Sequence, residues 1–337
     1  MCKMGNNLQK PLITVVIPGY NVDPYIEKTI LAVENQSYRN LEIILIDDGS
    51  TDNTSQIMDT FAYKDERIRV IHHHVCKGLS YGRNEGITLA KGQYLSFIDA
   101  DDIVDPEYIS AMLDVASFND SDVVCCDFKS FTDLDSVQQA KNGIVASTET
   151  AYSGSEAVKA FYQVQKHGLS WVAWAKLYRT ELFANAGVHY PEGSIHEDMA
   201  VTYRLIDTAK KVIYLDRVLY WYRIRQGSIM NSGFDSKHLV LLTFSRQAIG
   251  YFLSRHETDL ADLATNYHIR ISFTFLGKVK KEKTLSDREQ KELLLHLRHD
   301  IHQYVDSGHL PVWKKAIFHL VARFPFQILA EKVGTEF

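Results

Sequence analysis

Three carboxylates, Asp99, Asp101 and Asp102, fall within four residues. They follow an apolar run, Tyr94-Leu95-Ser96-Phe97-Ile98, whose composition is that of a buried β-strand. Such a strand delivers its acids to the crevice at the carboxyl edge of an open α/β sheet, where ligands bind. Two aspartates one residue apart in a turn can present hard oxygens on one side, which suits Mg²⁺ or Mn²⁺ holding a substrate's phosphates. The plainer reading is a solvated turn leading into a helix cap. A second acidic strand end weighs against it, because residues 41–46 run straight into Asp47-Asp48-Gly49-Ser50-Thr51-Asp52.

Further along the chain, Asp198 admits two readings. Ser194 and Glu197 have the spacing of a capping box, which occupies Glu197. Asp198 is left free of that role. It complements the dipole of the helix it opens, or it stands at the mouth of a site as a general base. Arg223 and Arg225, followed by Gly227 and Ser228, form either a loop able to clamp a pyrophosphate or a solvated basic turn. In the aromatic segment 171–178, Trp171 reads as core, while Trp174 is balanced between core and ligand contact. His72-His73-His74 invites a metal reading, but adjacent residues on a strand point to opposite faces.

Those residues need a scaffold. Residues 12–17 are apolar and β-branched at successive positions, as in a strand covered on both faces. Asp23-Pro24 then opens a helix with Asp23 as N-cap. Strands are expected at 41–46, 67–71 and 94–98. Helices are expected through 57–61, over 79–90, and over 107–118 behind Asp105-Pro106. Alternation of strand and helix over the first 130 residues predicts an α/β sheet with right-handed crossovers. Residues 129–155 are polar and weakly patterned. Short strands follow at 212–215 and 218–222, and helices at 238–254, 259–281 and 287–304. Near the C terminus, Trp313, Ile317, Leu320, Val321 and Phe324 form an apolar stripe beside Lys314, Lys315, His319 and Arg323. That is a basic amphipathic helix, packing on the domain or lying on an anionic membrane surface.

The totals bound the function. A chain of 337 residues with 45% apolar and 23% charged content is ordinary for a globular protein. A net charge of -5 argues against a general nucleic-acid binder. Four cysteines, two adjacent at Cys125 and Cys126 in an apolar stretch, do not make a disulfide framework. The run at 12–17 is too short for a signal-peptide core or a membrane span, so the expected location is cytoplasmic, peripheral on the inner face of the membrane if the C-terminal helix binds there. Absent are zinc-type Cys or His spacing, a phosphate-cradling glycine loop with Lys, and a Gly-x-Ser-x-Gly elbow.

Taken in order, Val15-Val-Ile-Pro-Gly-Tyr-Asn21, Ile46-Asp-Asp-Gly-Ser-Thr-Asp52, Gly82-Arg-Asn-Glu-Gly86 and Phe97-Ile-Asp-Ala-Asp-Asp102 resemble family 2 glycosyltransferases. The resemblance extends through Trp174-Ala-Lys-Leu-Tyr178, Glu197-Asp198 and Tyr222-Arg-Ile-Arg-Gln-Gly-Ser228. It implies a GT-A fold, Rossmann-like with a mostly parallel central sheet flanked by helices. Its catalytic domain would span residues 11–235, with a nucleotide-binding half at 11–130 and an acceptor half at 131–235, followed by a helical region at 236–337. It implies inverting transfer of a sugar from a nucleotide donor, UDP-Glc, UDP-Gal or UDP-GlcNAc, to a glycan or lipid-linked acceptor in surface-polysaccharide synthesis. By that resemblance Pro18, Tyr20 and Asn21 cradle the nucleoside, Asp47 or Asp48 contacts base or ribose, and Arg83 lies by the base. Asp99, Ala100 and Asp101 form the Asp-x-Asp motif, with Asp101 and Asp99 toward a Mn²⁺ or Mg²⁺ ion. Trp174 lies on the nucleotide-sugar side, Arg223, Arg225 and Ser228 close on the pyrophosphate, and Asp198 is the base. A homodimer is the further expected assembly. Gly82 departs from the usual Ala, and His196 from the usual Gly before Glu-Asp. The competing classes are a sugar nucleotidyltransferase, whose glycine-rich loop is missing after the first strand, and a non-catalytic binding module.

Overall fold

The computed structural model describes residues 10–133, 147–163, 169–225, 234–282, 285–300, 302–303, 312–313, 315–316 and 319. Ser228 lies outside the described residues, as do 134–146 of the polar excursion and most of the expected C-terminal amphipathic helix. The chain divides into two compact units. The first comprises Met1–Ala157, Lys166–Gly193 and Arg204–Arg225; the second comprises Val158–Gln165, Ser194–Tyr203 and Gln226–Phe337.

The first unit contains a mixed sheet. Its parallel half is β3 (Ile68–His72), β2 (Leu41–Asp47), β1 (Ile13–Gly19) and β4 (Tyr94–Phe97), in that order. Every residue of β1 is buried, as its unbroken apolar run requires. Helices α1 (Asp23–Glu34), α2 (Thr54–Lys64) and α3 (Leu79–Leu89) make the crossovers. Asp23 is the first helical residue rather than the cap, which is Val22. Side chains across the sheet edge take the local amides instead: Val22 N–H donates to Thr54 Oγ1 at 2.9 Å and Asp23 N–H to Asp52 Oδ2 at 3.1 Å.

Beyond β4 come β5 (Ile103–Val104), α4 (Tyr108–Asn119), β6 (Val123–Phe131), β7 (Glu149–Tyr152) and α5 (Gly154–Gln163). They are followed by β8 (Lys176–Arg179), α6 (Glu181–Asn185), α7 (Asp198–Thr208) and β9 (Val212–Arg223). The sheet continues from β4 as β8-β6-β9-β5, with β7 also on β9. β8 pairs antiparallel with both β4 and β6, so the parallel order ends there. The two short strands expected at 212–222 are one strand. The break between them survives as a bulge, where Cys126, Asp127 and Phe128 face Leu215, Val218 and Tyr220. Cys125 and Cys126 are buried free thiols in β6.

In the second unit, a 3₁₀ turn (Ser236–Leu239) leads into α8 (Val240–Ser254), α9 (Thr258–Glu282) and α10 (Asp287–Asp300). Leu242, Ile269, Phe273, Val279 and Leu293 give these helices an apolar core. A buried polar clasp ties all three: Ser245 Oγ lies 2.7 Å from His268 Nδ1, His268 Nε2 lies 3.0 Å from Asp300 Oδ2, and Arg246 pairs with Asp300 at 2.7 Å. No described helix is long and apolar enough to cross a membrane.

Close packing of α3 on β1 sets the first test. A Cβ at Gly86 would lie 2.3 Å from Val16 Cγ1 and 2.9 Å from Cγ2. Gly86→Ala should therefore destabilise by about 1–3 kcal/mol through overpacking. Val16→Ala in the same chain should recover part of that loss, as read by urea denaturation.

Candidate active site

Parallel pairing makes neighbours of three distant segments. Gly19 is in register with Asp47, and Val16 with Phe97, so the ends of β1, β2 and β4 open side by side. The loop after β1 carries Pro18, Tyr20 and Asn21. It is sewn to residues 50–54 as well as capped by them. Asn21 takes φ +50°, which Asn tolerates better than most residues. Its N–H donates to Ser50 Oγ at 3.1 Å, and its Oδ1 accepts from Thr51 N–H at 2.8 Å. Tyr20 beside it is 46% exposed.

Asp47 and Asp48, at the end of β2, are both buried and engaged within the protein. Asp47 accepts from Ser50 N–H and Ser55 Oγ and meets His72 Nδ1 at 3.0 Å. Asp48 meets His73 Nδ1 at 2.7 Å and accepts from Cys76 Sγ and from the Lys77 and Gly78 amides. His73 Nε2 reaches Glu85 at 2.7 Å. The adjacent histidines thus serve different acids. Among the described residues, no group of three or more His, Cys, Asp or Glu side chains is placed to hold a metal ion. Burial alone would raise the pKa of each acid. The hydrogen bonds from His72 and the serines at Asp47, and from His73, Cys76 and the two amides at Asp48, outweigh it and hold both below the usual range.

The acid turn after β4 meets arginines from two directions. Arg83 of α3, 2% exposed, pairs with Asp99 Oδ1 at 3.1 Å while its guanidinium faces the rings of Phe97 and Tyr190. A Cβ at Gly82, where the family pattern has Ala, would lie 3.1 Å from Pro18 Cβ, a tight contact. From the end of β9, Arg225 Nε pairs with Asp101 Oδ2 at 2.5 Å, and Arg223 Nε donates to the Asp101 carbonyl at 2.6 Å. Both guanidiniums lie over the Tyr25 ring, at 5.0 and 5.4 Å. Ala100 is buried, and its carbonyl accepts from Thr29 Oγ1 at 3.0 Å. Trp174 is also buried; it stacks on Tyr220 and Tyr222, with centroids 4.6 and 5.4 Å away, and meets Phe128 edge-on.

Sequence reasoning gave Asp102 no role of its own. It is 0% exposed, accepts from the Tyr220 hydroxyl at 2.7 Å and from Arg223 N–H at 2.7 Å. Burial first, then the charges on Asp99 and Asp101, push its carboxyl well above the usual range. The available signal was the lack of any polar neighbour after it, in Ile103-Val104.

Asp198 belongs to the second unit. It opens α7, and its Oδ1 accepts from Met199 N–H at 2.8 Å. The capping box expected from Ser194 to Glu197 is not the start of this helix, because His196 between them is left-handed at φ +58°. His196 Nε2 lies 2.9 Å from His238 Nδ1. Burial, reinforced by His238, lowers the His196 pKa.

Asp48 gives a pH test. Because its folded pKa is depressed, its stabilisation is complete above the unfolded value of about 3.9 and is lost as pH falls through the folded value. Asp48→Asn should cost about 1–3 kcal/mol at neutral pH. The gap from wild type should narrow as denaturation is repeated at pH values below about 4.

Residues 14–166 match the model of glycosyl transferase family 2. The chain is 32% identical over 300 residues to glycosyltransferase GlyG of Streptococcus pneumoniae serotype 4, covering 85% of this chain and 95% of that protein. It spans 44%, 64% and 63% of three further curated relatives. Among solved structures, it resembles Staphylococcus aureus TarS 1–349 in complex with UDP-GlcNAc, with TM-score 0.61, 19% identity, and coverage of 87% of this chain and 81% of that one. It also resembles the mannosyltransferase PcManGT of Pyrobaculum calidifontis in complex with GDP-Man and Mn²⁺, with TM-score 0.52, 15% identity, and coverage of 97% and 84%. At such identities the structural likeness speaks for the fold, the α/β GT-A arrangement with a helical C-terminal region. Sequence relatives and family model together carry the conclusion that this chain belongs to glycosyltransferase family 2.

Proposed function

We propose that the chain is an inverting transferase that moves a sugar from a UDP-sugar, such as UDP-Glc, UDP-Gal or UDP-GlcNAc, to a hydroxyl of a glycan or lipid-linked oligosaccharide in surface-polysaccharide synthesis. The observation that carries this reading is the meeting of Asp99 and Asp101 with Arg83 and Arg225 at the open end of the parallel strands. A nucleoside diphosphate needs such a mixture of cations and metal-ligating oxygens. The UDP-GlcNAc complex of TarS supports the choice of donor nucleotide.

Asp101, aided by Asp99, is the proposed holder of a Mn²⁺ or Mg²⁺ ion. Their chemistry fits: both side chains are partly exposed carboxylates, at 17% and 25%. A Mg²⁺-like ion commonly uses one or two carboxylates and completes its shell with substrate phosphates and water. When bound, the ion offsets the negative charge of the departing diphosphate. Arg225 takes the same role from the protein side, exchanging Asp101 for diphosphate oxygens as the donor enters. Tyr20, which is exposed, faces the nucleoside, and buried Arg83 holds Asp99 in place beside it. Asp198 accepts the proton of the acceptor hydroxyl as that oxygen attacks the anomeric carbon. The new C–O bond forms on the face opposite the breaking bond to the diphosphate, so the centre inverts in one displacement without a covalent sugar–protein intermediate, unlike a retaining glycosidase.

Asp198→Asn should leave UDP affinity unchanged and lower turnover about a hundred- to ten-thousand-fold. The measurement is UDP release from each donor in the presence of acceptor glycans, beside UDP binding. Turnover equal to wild type would remove Asp198 as the base.

A further inference from the structure

Asp102 cannot touch a ligand, because its side chain is fully buried. Yet both its oxygens are taken by groups on β9, the strand that leads into the arginine segment. Oδ1 accepts from the backbone N–H of Arg223, at the start of the arginine segment, at 2.7 Å. Oδ2 accepts from the Tyr220 hydroxyl at 2.7 Å, and that same oxygen of Tyr220 accepts from Asp99 N–H at 3.1 Å. Asp102 N–H closes the turn on the Asp99 carbonyl at 3.0 Å. The Asp102 and Ala100 carbonyls both accept from Thr29 Oγ1 of α1, at 2.8 and 3.0 Å. Tyr220 cannot drift, since its ring is stacked on Trp174 and packed edge-on against Tyr108.

Stability does not explain this choice of residue. A third carboxylate buried beside two others is costly, and burying a charge is unfavourable unless it is well hydrogen-bonded. A neutral side chain would avoid that cost. What a forked acceptor supplies is a two-point link from the acid turn to β9, one oxygen to the Tyr220 hydroxyl and one to the Arg223 amide. We infer that Asp102, acting through Tyr220, is a positioning residue that fixes the Asp99-Ala100-Asp101 turn against the Arg223–Arg225 segment, and so sets the metal dependence of nucleotide binding. This rests on the donor site proposed above. Tyr220 carries the link to the acid turn, and the Arg223 amide carries the link to the cations.

The test is the ratio of the UDP dissociation constants measured without and with Mn²⁺, by calorimetry on the full chain. Tyr220→Phe and Asp102→Asn should each shrink that ratio about tenfold, the worth of about one hydrogen bond. The double variant should shrink it no further than the more severe single, because both act through one link. Tyr108→Phe is the control. It removes a buried phenol hydroxyl in the same layer, bonded to Ser96 Oγ at 2.8 Å, without touching the acid turn. It should lower the melting temperature comparably and leave the ratio at the wild-type value. An unchanged ratio in Tyr220→Phe, an equal loss in Tyr108→Phe, or additive losses in the double variant would each overturn the inference. If Asp102→Asn does not fold, Tyr220→Phe against Tyr108→Phe decides alone. Wild-type affinity that ignores Mn²⁺ would instead overturn the metal reading of the donor site, and the inference with it.

Discussion

Three carboxylates at the end of one buried strand repel one another, and the rest of the site is arranged around relieving that repulsion. Two unit charges 4 Å apart interact by about 1 kcal/mol in water and about 4 kcal/mol at the effective dielectric of a protein surface. Each acid is answered differently. Asp99 has Arg83, Asp101 has Arg225, and Asp102, which burial disfavours, has two hydrogen-bond donors, the Tyr220 hydroxyl and the Arg223 amide. Local sequence supplies none of these partners. They come from α3 and from the end of β9, so the sheet order itself is what makes the acid turn tolerable.

The same logic extends to β2. Asp47 and Asp48 are drawn inward by His72 and His73, and the loop at 76–78 folds over Asp48 through its own amides. The segment 50–54 spends its polar groups on the loop after β1. The ends of the parallel strands are therefore pre-shaped by side chain–backbone bonds before any ligand arrives, which reduces the ordering a donor must impose.

Much of this was legible in the chain because the parallel half is written in local signals. Apolar and β-branched runs, Gly and Pro stops and acidic strand ends located β1 to β4 and put the acids at the tips of β2 and β4. What escaped depends on partners far away in sequence. Tyr220 and Asp102 are separated by 118 residues, and no periodicity connects them. The two-residue strand β5 exists only because β9 offers it a partner. Asp23 lost its capping role because Asp52 and Thr54, brought in by the sheet, took the local amides. The apparent capping box at Ser194 fails because His196 adopts a left-handed conformation that residue type alone does not announce. The bulge in β9 was visible as a gap between two strands, but its pairing with β6 needed the fold.

At the centre stands one physical claim, that the strand-end acids and the two arginines together bind a nucleoside diphosphate with a divalent cation. Calorimetric titration with UDP, GDP and TDP, each with and without Mn²⁺, tests it most directly. Tightest binding of UDP, strengthened by the metal, is the predicted result. Binding that is indifferent to Mn²⁺, or absent for all three nucleotides, would contradict it.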